Sequence, residues 1–338
     1  MSAQPPDERV MPVVLAVDVE PEPGGGTWRD ARPWRGFERW LEVMPELRGK
    51  LEKLTGAPVH FAWFVRCDPQ IADIYGDAAW AADRYSQGFD ALRAAGDEIA
   101  IHPHAWRWDA GRARWLHDNA DPAWVEHVLE TGFGRFAAAF GQPARAHRFG
   151  SRFLTAAIVH WLIAHGVRVD TTLEPGTPPL RTLDVKTEST GIVPDQRGVP
   201  RQPYRPDPDD PFQPAAIDSL PPGAGLWMLP HSAFDPQRLI PAWRQVARRV
   251  RFFGQARYRP AQLWTPQDPA GFWDLALAAA HELPQPYLLL AARSSALFDA
   301  EPARHTMGKL DALQRHPAVS RMRFLTALEA LDSLVGAQ

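Results

Sequence analysis

The sequence predicts an α/β fold in which parallel strands alternate with helices around a closed or distorted barrel. Short apolar runs alternate with longer stretches of helical periodicity, which gives about seven or eight βα units. A doubly wound open sheet is the competing fold. It is disfavoured because no GxGxxG pattern is present and no suitable helix follows Gly24-Gly25-Gly26.

The elements of the first half of the chain follow directly from these runs. The run 12–18 (PVVLAVD) is almost continuously apolar, as expected of a strand that is covered on both faces. Gly96 is a natural C′ residue for one helix, and Asp121-Pro122 begins another that Gly141 ends. The predicted strands are 12–18, 59–65, 98–102, 144–149 and 167–171, and the predicted helices are 36–54, 86–95, 121–141 and 151–165, the last with Ser151 as N-cap.

The second half of the chain begins with a long segment that has no clear periodicity. Residues 174–223 are rich in Pro, Asp and Arg, and a loop of this length inside a compact domain is usually functional or flexible. We therefore expect a flexible N-terminus (1–10) and one barrel domain (11–338) that contains this Pro-rich loop. The remaining predicted strands are 226–229, 287–291 and 322–325, and the remaining helices are 241–253, 265–281 and one that begins at the capping box Thr326-Ala-Leu-Glu329.

The composition argues against several classes of partner. The 338 residues carry a net charge of −3, so neither nucleic acid nor an anionic membrane surface is expected to bind. Cys67 is the only cysteine, which excludes a disulfide framework and a thiolate zinc site. Residues 1–10 do not form a signal peptide and no apolar run is long enough to span a membrane, so we expect a cytoplasmic protein.

Charged or hydrogen-bonding residues follow five of the predicted strands. In parallel α/β folds the carboxyl ends of the strands meet where active sites lie, so we expect these groups to share one site. They are Asp18-Val19-Glu20, His102-Pro103-His104, Arg148, Asp170-Thr171-Thr172 and Arg293-Ser294-Ser295.

Two of these groups have the composition of a metal site. Residues two apart in an extended segment point to the same side, so Asp18 and Glu20 share a side, and so do His102 and His104. Two imidazoles and one carboxylate are a common open ligand set for zinc or a similar divalent ion, and they leave a position for water. The remaining carboxylate can then act as a base for that water.

The same segments resemble successive motifs of the polysaccharide deacetylases, the family-4 carbohydrate esterases. LAVDVE, EIAIHPHAW, HRFGSRF and VDTT occur in the family's order. The nearest resemblance is to a divergent branch with an Asp-Val-Glu first motif, which includes proteins of bacterial surface-polysaccharide gene clusters. Pro203-Tyr204-Arg205-Pro206 resembles the PYRP segment of that branch. The resemblance implies a distorted parallel (β/α)7-type barrel that removes an acetyl group from a sugar or polysaccharide precursor.

The resemblance also implies roles for individual residues. Asp18 would be the general base, and Arg148 would orient it through a charged hydrogen bond. The family often has its second metal-binding histidine four residues after the first, where this chain has Trp106, so His104 must take that place. One divalent metal ion, expected to be zinc, would be held by Glu20, His102 and His104.

The late motif departs from the family pattern. Related sequences have a histidine before Ser-Ser that acts as general acid, whereas LLLAARSSALF places Arg293 there. An arginine is a poor proton donor near neutral pH, although it can stabilise an oxyanion. The proton donor would then be His231, which follows the strand near Trp227, or His305; otherwise catalysis is weak or lost.

Four further residues are candidates for substrate binding. Trp106 and Trp108 would stack on a sugar ring, or else pack the loop against the barrel rim. Tyr204 and Arg205 are carried over from the PYRP segment.

Three functions therefore stay open. The first is a metal-dependent sugar deacetylase. The second is a catalytically inactive barrel that binds a glycan or a partner enzyme, which Arg293 favours. The third is a metal-free glycoside hydrolase with two carboxyl groups about 5 to 9 Å apart. The sequence leaves the sugar, the acyl group and the oligomeric state open.

Overall fold

The computed structural model describes residues 10–22, 27–179, 189–190, 193–216, 225–235 and 258–336. Residues 1–9, parts of the Pro-rich loop predicted at 174–223 and the helix predicted at 241–253 lie outside the described residues. Within the described ranges, no helix is both long and apolar enough to cross a membrane.

The strands form one large parallel sheet and two small sheets. In chain order they are β1 Met11–Val19, β2 Ala62–Val65, β3 Glu98–Ile101, β4 Trp106–Asp109, β5 Arg114–Asp118, β6 Ala146–His147, β7 Val169–Asp170, β8 Ser189–Thr190, β9 Trp227–Met228, β10 Ala233–Phe234, β11 Arg259–Pro260, β12 Leu288–Arg293 and β13 Met322–Phe324. The large sheet has the order β12-β1-β2-β3-β6-β7-β9, with β13 also paired to β1. All of its pairs are parallel, which confirms the predicted α/β fold with a distorted parallel barrel.

Segments without regular secondary structure connect β9 to β12, the two end strands of the large sheet. The backbone N–H of Ser232 donates to Leu289 O at 3.0 Å, and that of Leu263 donates to Ala291 O at 2.9 Å. The short strands β10 and β11 pair with each other rather than with the large sheet. The barrel is distorted because these connections replace regular strand pairing at this point.

The helices pack around the sheet. Several of the predicted ends are confirmed: the side chain of Asp121 accepts from the backbone of Ala123, and Thr326 and Glu329 form the capping box. The helices are α1 Arg35–Thr55, α2 Pro69–Tyr75, α3 Trp80–Arg84, α4 Ser86–Ala94, α5 Pro122–Phe140, α6 Ala156–Ala164, α7 Pro269–Ala280, α8 Ala300–Arg315 and α9 Ala327–Val335.

Two helices begin later than predicted. Ser151 has φ 59°, a left-handed conformation that an N-cap does not adopt, and Thr155 caps α6 instead by accepting from Ile158 N. Asp268 caps α7 by accepting from Gly271 N at 2.7 Å. Thr265, the predicted start, turns its hydroxyl to Gln262 O at 2.8 Å.

The sequence analysis missed the β4–β5 hairpin, α2, α3 and α8. Helix α8 buries Thr306, Lys309, Leu310 and Leu313, which have helical spacing, but two of the four are polar and weaken the apolar period. The alternating tryptophans of WRWD are a strand signal that was read only as a pair of aromatic residues.

Alternation along the strands separates two packed layers. Val14 and Ala16 of β1 pack with Phe64 and with Leu331 of the terminal helix α9. The odd-numbered residues of β1, such as Leu15, pack with the outer layer of helices. Asp18 and Glu20 continue the even-numbered series to the carboxyl end of β1, which places them with the inner layer.

Candidate metal centre at the barrel mouth

Glu20, His102 and His104 converge at the carboxyl ends of β1 and β3. One ligand atom from each lies within 4.8 Å of the others, and the Nε2 atoms of the two histidines are 3.0 Å apart. Glu20 is fixed by the segment after β12. Its backbone N–H donates to Ser294 Oγ at 2.9 Å, and Ser295 Oγ donates to Glu20 Oε1 at 3.1 Å.

The donor atoms fit one divalent cation. Two nitrogens that bind the same zinc ion at about 2.0 to 2.1 Å lie about 3.0 to 3.4 Å apart when the ion is four- or five-coordinate. His102 Nδ1 donates to Arg148 O at 2.8 Å, so the Nε2 lone pair points into the cluster. The histidine contact requires either a shared proton or a shared cation, and the carboxylate of Glu20 beside it favours the cation.

Burial keeps both histidines neutral. It lowers the pKa of His102 to about 3. It also lowers the pKa of His104 well below its ordinary value, with a further contribution from the Arg66 guanidinium. Neutral imidazole is the form that binds a metal, so both rings are available as ligands at neutral pH.

Asp18 lies beside the cluster and against Arg148. Asp18 Oδ1 is 3.2 Å from Arg148 Nε, and Asp18 Oδ2 is 4.0 Å from His102 Nε2. Burial raises the pKa of Asp18, while Arg148 and Arg293 counteract this shift. Arg148 therefore orients one carboxylate oxygen of Asp18. The other oxygen faces His102, where it can accept a proton.

His231 contacts Arg148 from the other side. Arg148 Nη1 contacts His231 Nε2, and because a guanidinium has only donors, His231 must accept there and carry its proton on Nδ1. His231 is completely buried. Burial and the nearby Arg148 lower its pKa well below the ordinary value. This geometry favours a role in positioning Arg148 over the proton-donor role expected from the sequence.

Glu174 also lies at the site, although the strand pattern of the sequence did not predict it. Glu174 is buried, and its carboxylate oxygens lie 3.7 Å from Arg148 Nη2 and 3.7 Å from Arg152 Nε. Gln196 Oε1 accepts from Glu174 N at 2.8 Å, and Gln262 Nε2 donates to Glu174 Oε1 at 3.3 Å. An acidic residue shortly after β7 could have indicated this position, but Glu174 lies at the start of the predicted long loop.

Gly150 and His117 shape the pocket around His104. A Cβ atom at Gly150 would lie 2.2 Å from His104 Cδ2, so only glycine leaves room for the ring. His117 Nε2 contacts Ser151 Oγ at 3.1 Å, and its ring centroid lies 5.7 Å from that of His104. Ser151 and Arg152 have φ values of 59° and 61°. The loop after β6 therefore adopts an uncommon backbone where it contacts the candidate metal ligand His104.

Comparisons with known proteins identify the fold. No protein-family model and no curated protein sequence matches the chain. A solved structure from Mycobacterium smegmatis, assigned as a polysaccharide deacetylase, is 14% identical with a TM-score of 0.50, over 99% of this chain and 93% of that one. One from Parabacteroides distasonis, assigned as a glycoside hydrolase/deacetylase, is 13% identical with a TM-score of 0.53, over 96% and 72%.

The fold is that of the polysaccharide deacetylases. In this deacetylase fold, Arg293 ends β12 directly beside Asp18 in the parallel register. Its guanidinium lies 4.6 Å above the Trp264 ring, and its Nε is 4.0 Å from Glu20 Oε1. Arg293 therefore reaches the candidate ligand cluster of Glu20, His102 and His104.

The predicted substrate-binding residues lie in two places. Trp106 and Trp108 belong to β4. The Trp106 ring centroid is 3.4 Å from that of His117, and Arg29 lies 4.6 Å above the Trp108 ring. Both indoles are partly exposed. Stacking on a sugar stays a prediction for both.

The PYRP segment runs antiparallel to β9. Tyr204 pairs with Met228, is buried, and donates its hydroxyl to Pro211 O at 2.7 Å. The backbone oxygen of the neighbouring Arg205 accepts from Ala215 N at 2.9 Å. The Tyr204 hydroxyl is thus engaged within the protein, and substrate binding by this pair stays a prediction. His305, the other candidate acid, lies on α8 with its Nε2 3.7 Å from Glu301 Oε1.

Proposed function

We propose that the protein is a metal-dependent hydrolase that removes an acetyl group from a sugar or polysaccharide precursor. The observation that carries this proposal is the convergence of Glu20, His102 and His104 with the oriented Asp18 at the mouth of a deacetylase fold. We propose zinc as the metal. A cytoplasmic step in a bacterial surface-polysaccharide pathway is the setting that the Asp-Val-Glu and PYRP segments support.

The residues of the chain divide the work as follows. When bound, a divalent ion supplies Lewis acidity and lowers the pKa of a bound water. Asp18 accepts a proton at Oδ2, the oxygen that faces His102, while Arg148 holds Oδ1. The buried pair of Arg148 and Glu174 keeps the guanidinium from moving away from Asp18.

The missing late-motif histidine sets the preferred leaving group. General-acid catalysis typically contributes about 10²- to 10⁴-fold to the rate, and an amine must be protonated to leave. Arg293 can stabilise a developing alkoxide without giving up a proton. We therefore propose that the enzyme removes O-acetyl groups more readily than N-acetyl groups. The same substitution supports the second candidate, an inactive barrel that binds a glycan or a partner enzyme.

A direct test combines metal content with acetate release. Purified protein should contain about one equivalent of divalent metal and release acetate from O-acetyl sugars more readily than from matched N-acetyl sugars. His102→Ala should lose both metal and activity. Full activity after chelation would refute the metal-dependent proposal, and bound metal without any acetate release would favour the inactive barrel.

Two further variants locate the proton donor. Arg293→His should raise N-deacetylation if a lost donor has been restored. His231→Ala tests the buried histidine, and His160→Ala is its matched control because that side chain is 58% exposed. Robust N-deacetylation by the wild type would contradict this account of the leaving group, and its loss in His231→Ala would contradict the positioning role of His231.

A further inference from the structure

Arg293 is exposed at the barrel mouth with its hydrogen-bonding capacity unused. Its side chain is 51% exposed, and the carboxylate of Glu20 is 4.0 Å from its Nε, too far for a hydrogen bond. Among the described residues, no side chain or carbonyl accepts a hydrogen bond from its guanidinium. A guanidinium carries five N–H donors in a planar fork that matches carboxylate and phosphate groups.

Arg29 is a second arginine that stacks on an indole, and its guanidinium does have a hydrogen-bonded anion. Arg29 also lies 4.6 Å above an indole, that of Trp108, and its side chain is also 51% exposed. Arg29, however, donates to Asp73 Oδ2 at 3.1 Å. Stacking and exposure are therefore equal at the two sites, and the difference is that Arg293 lacks a bonded anion and lies beside the metal cluster.

The backbone on either side of Trp264, whose indole lies under Arg293, is held by a buried lysine. Trp264 lies between Leu263 and Thr265, whose backbone oxygens accept from Lys309 Nζ at 2.9 Å and 2.7 Å. Lys309 is completely buried and also bonds Gln262 O at 3.2 Å. A buried ammonium group with several acceptors fixes this turn, so Trp264 provides a preorganised support for the guanidinium.

The charges around the cluster call for an additional anion once a metal is bound. Besides Arg66 and Asp68, which pair with each other, three carboxylates and three guanidinium groups of the described residues surround it, and an imidazole bound to a metal is neutral. A divalent ion then leaves an excess of two positive charges, and it takes Glu20 away from Arg293 as a counter-ion. The six groups are Asp18, Glu20, Glu174, Arg148, Arg152 and Arg293.

We propose that Arg293, supported by Trp264, is a subsite for an acidic sugar and binds a carboxylate or phosphate group of the substrate. The inference rests on the proposed function because it names the class of sugar that the same site accepts. The sugar's anion would replace Glu20 as the partner of Arg293, and the acyl group would then lie next to Asp18.

Binding can be measured separately from turnover. The full-length protein, treated with a chelator to prevent hydrolysis, is titrated calorimetrically with three ligands that share one N-acetylated disaccharide: a uronate, a 6-phosphate and the neutral 6-alcohol. The variants are Arg293→Gln, Arg293→Lys, Trp264→Ala and the matched control Arg29→Gln. The titrations are repeated with added zinc, and acetate release from the O-acetylated counterparts is recorded in a separate assay.

The wild type should bind at least one acidic ligand about tenfold more tightly than the neutral one, because a charge-assisted bidentate contact is lost with the 6-alcohol. Arg293→Gln should abolish this preference, Arg293→Lys should keep part of it, and Trp264→Ala should reduce it. Arg29→Gln should leave it unchanged. Added zinc should increase the preference in the wild type.

Two results would overturn the inference. One is equal binding of acidic and neutral ligands by the wild type. The other is a preference that Arg293→Gln retains, or that Arg29→Gln removes to the same extent. Acetate release without any acid preference would leave the proposed function standing and reject the subsite. An acid preference without acetate release would support the subsite and reject the hydrolase.

Discussion

Gly150→Ala should displace a metal ligand without disturbing the rest of the barrel. The added methyl carbon would lie 2.2 Å from His104 Cδ2 and 2.3 Å from Cγ and Nε2, whereas an ordinary contact is at least 3.4 Å. The backbone of the loop cannot easily retreat, because Gly150 N donates to Pro103 O at 2.8 Å and Phe149 N donates to Thr172 Oγ1 at 2.8 Å. The ring of His104 must therefore move by roughly 1 Å.

A displacement of this size removes His104 from coordination, since ligand distances tolerate only about 0.2 Å. Zinc affinity should fall by about 10- to 100-fold, or about 1.4 to 2.8 kcal/mol of binding free energy. Competition with a chromophoric chelator measures the affinity, and circular dichroism checks that the variant is folded. Gly134→Ala is the control, because Gly134 is exposed on α5 and an added Cβ meets nothing within 4 Å.

A double-mutant cycle tests whether the effect passes through His104. If it does, Gly150→Ala should weaken zinc binding no further in a His104→Ala background. A folded Gly150→Ala protein that binds zinc with wild-type affinity would refute the assignment of His104 as a ligand. Additive losses in the double variant would show that Gly150 acts through another part of the site.

Three further predictions concern the base, the buried histidines and Lys309. Asp18→Asn should lower acetate release by about 10²- to 10⁴-fold while zinc content is unchanged. Loss of zinc from this variant would contradict the separation of base and ligands. Burial lowers the pKa of His102 and His117 from 6.5 to about 3, so the stability they contribute is complete above pH 6.5 and is lost as the pH falls below it. Each histidine should lower the free energy of unfolding by about 1.4 kcal/mol for each pH unit below 6.5. Urea unfolding of the metal-free protein at pH 7 and pH 5 measures this loss, and equal stability at the two pH values would refute it. Lys309→Met should destabilise the protein by about 3 kcal/mol in the same assay because it leaves buried carbonyls unpaired, and an unchanged midpoint would contradict this.

The parts of the site that the sequence predicted are those that strand alternation controls. Asp18 and Glu20, and likewise His102 and His104, lie two residues apart at strand ends, and the period of two places each pair on one side. The terminal capping box was also predictable, because Thr326 and Glu329 satisfy each other within one turn. In each of these cases the information is local.

The missed residues depend on contacts between distant segments. Glu174 becomes a site residue only because β6 and β7 bring it to Arg148 and Arg152. Lys309 bonds the backbone oxygens of Leu263 and Thr265, on either side of Trp264, and no periodicity in the chain connects the two segments. The residue type of Ser151 suits an N-cap, but this prediction was wrong. Its left-handed φ of 59° is set by the loop that surrounds His104.

Trp106 shows where the candidate site departs from the family motif that the sequence resembles. The chain has this indole where the resemblance to the polysaccharide deacetylases implies a second histidine, and the indole packs on His117 instead. His104 reaches the cluster from an extended segment, which requires a glycine at 150 and an acceptor, Asp68 Oδ2, for its backbone N–H at 3.1 Å. A motif defined by residue spacing fails on such a chain, although the Nε2 atoms of its histidines are still 3.0 Å apart. The chemistry of this site is therefore better judged from Gly150 and Asp68, which make room for His104 and hold it, than from the missing motif position.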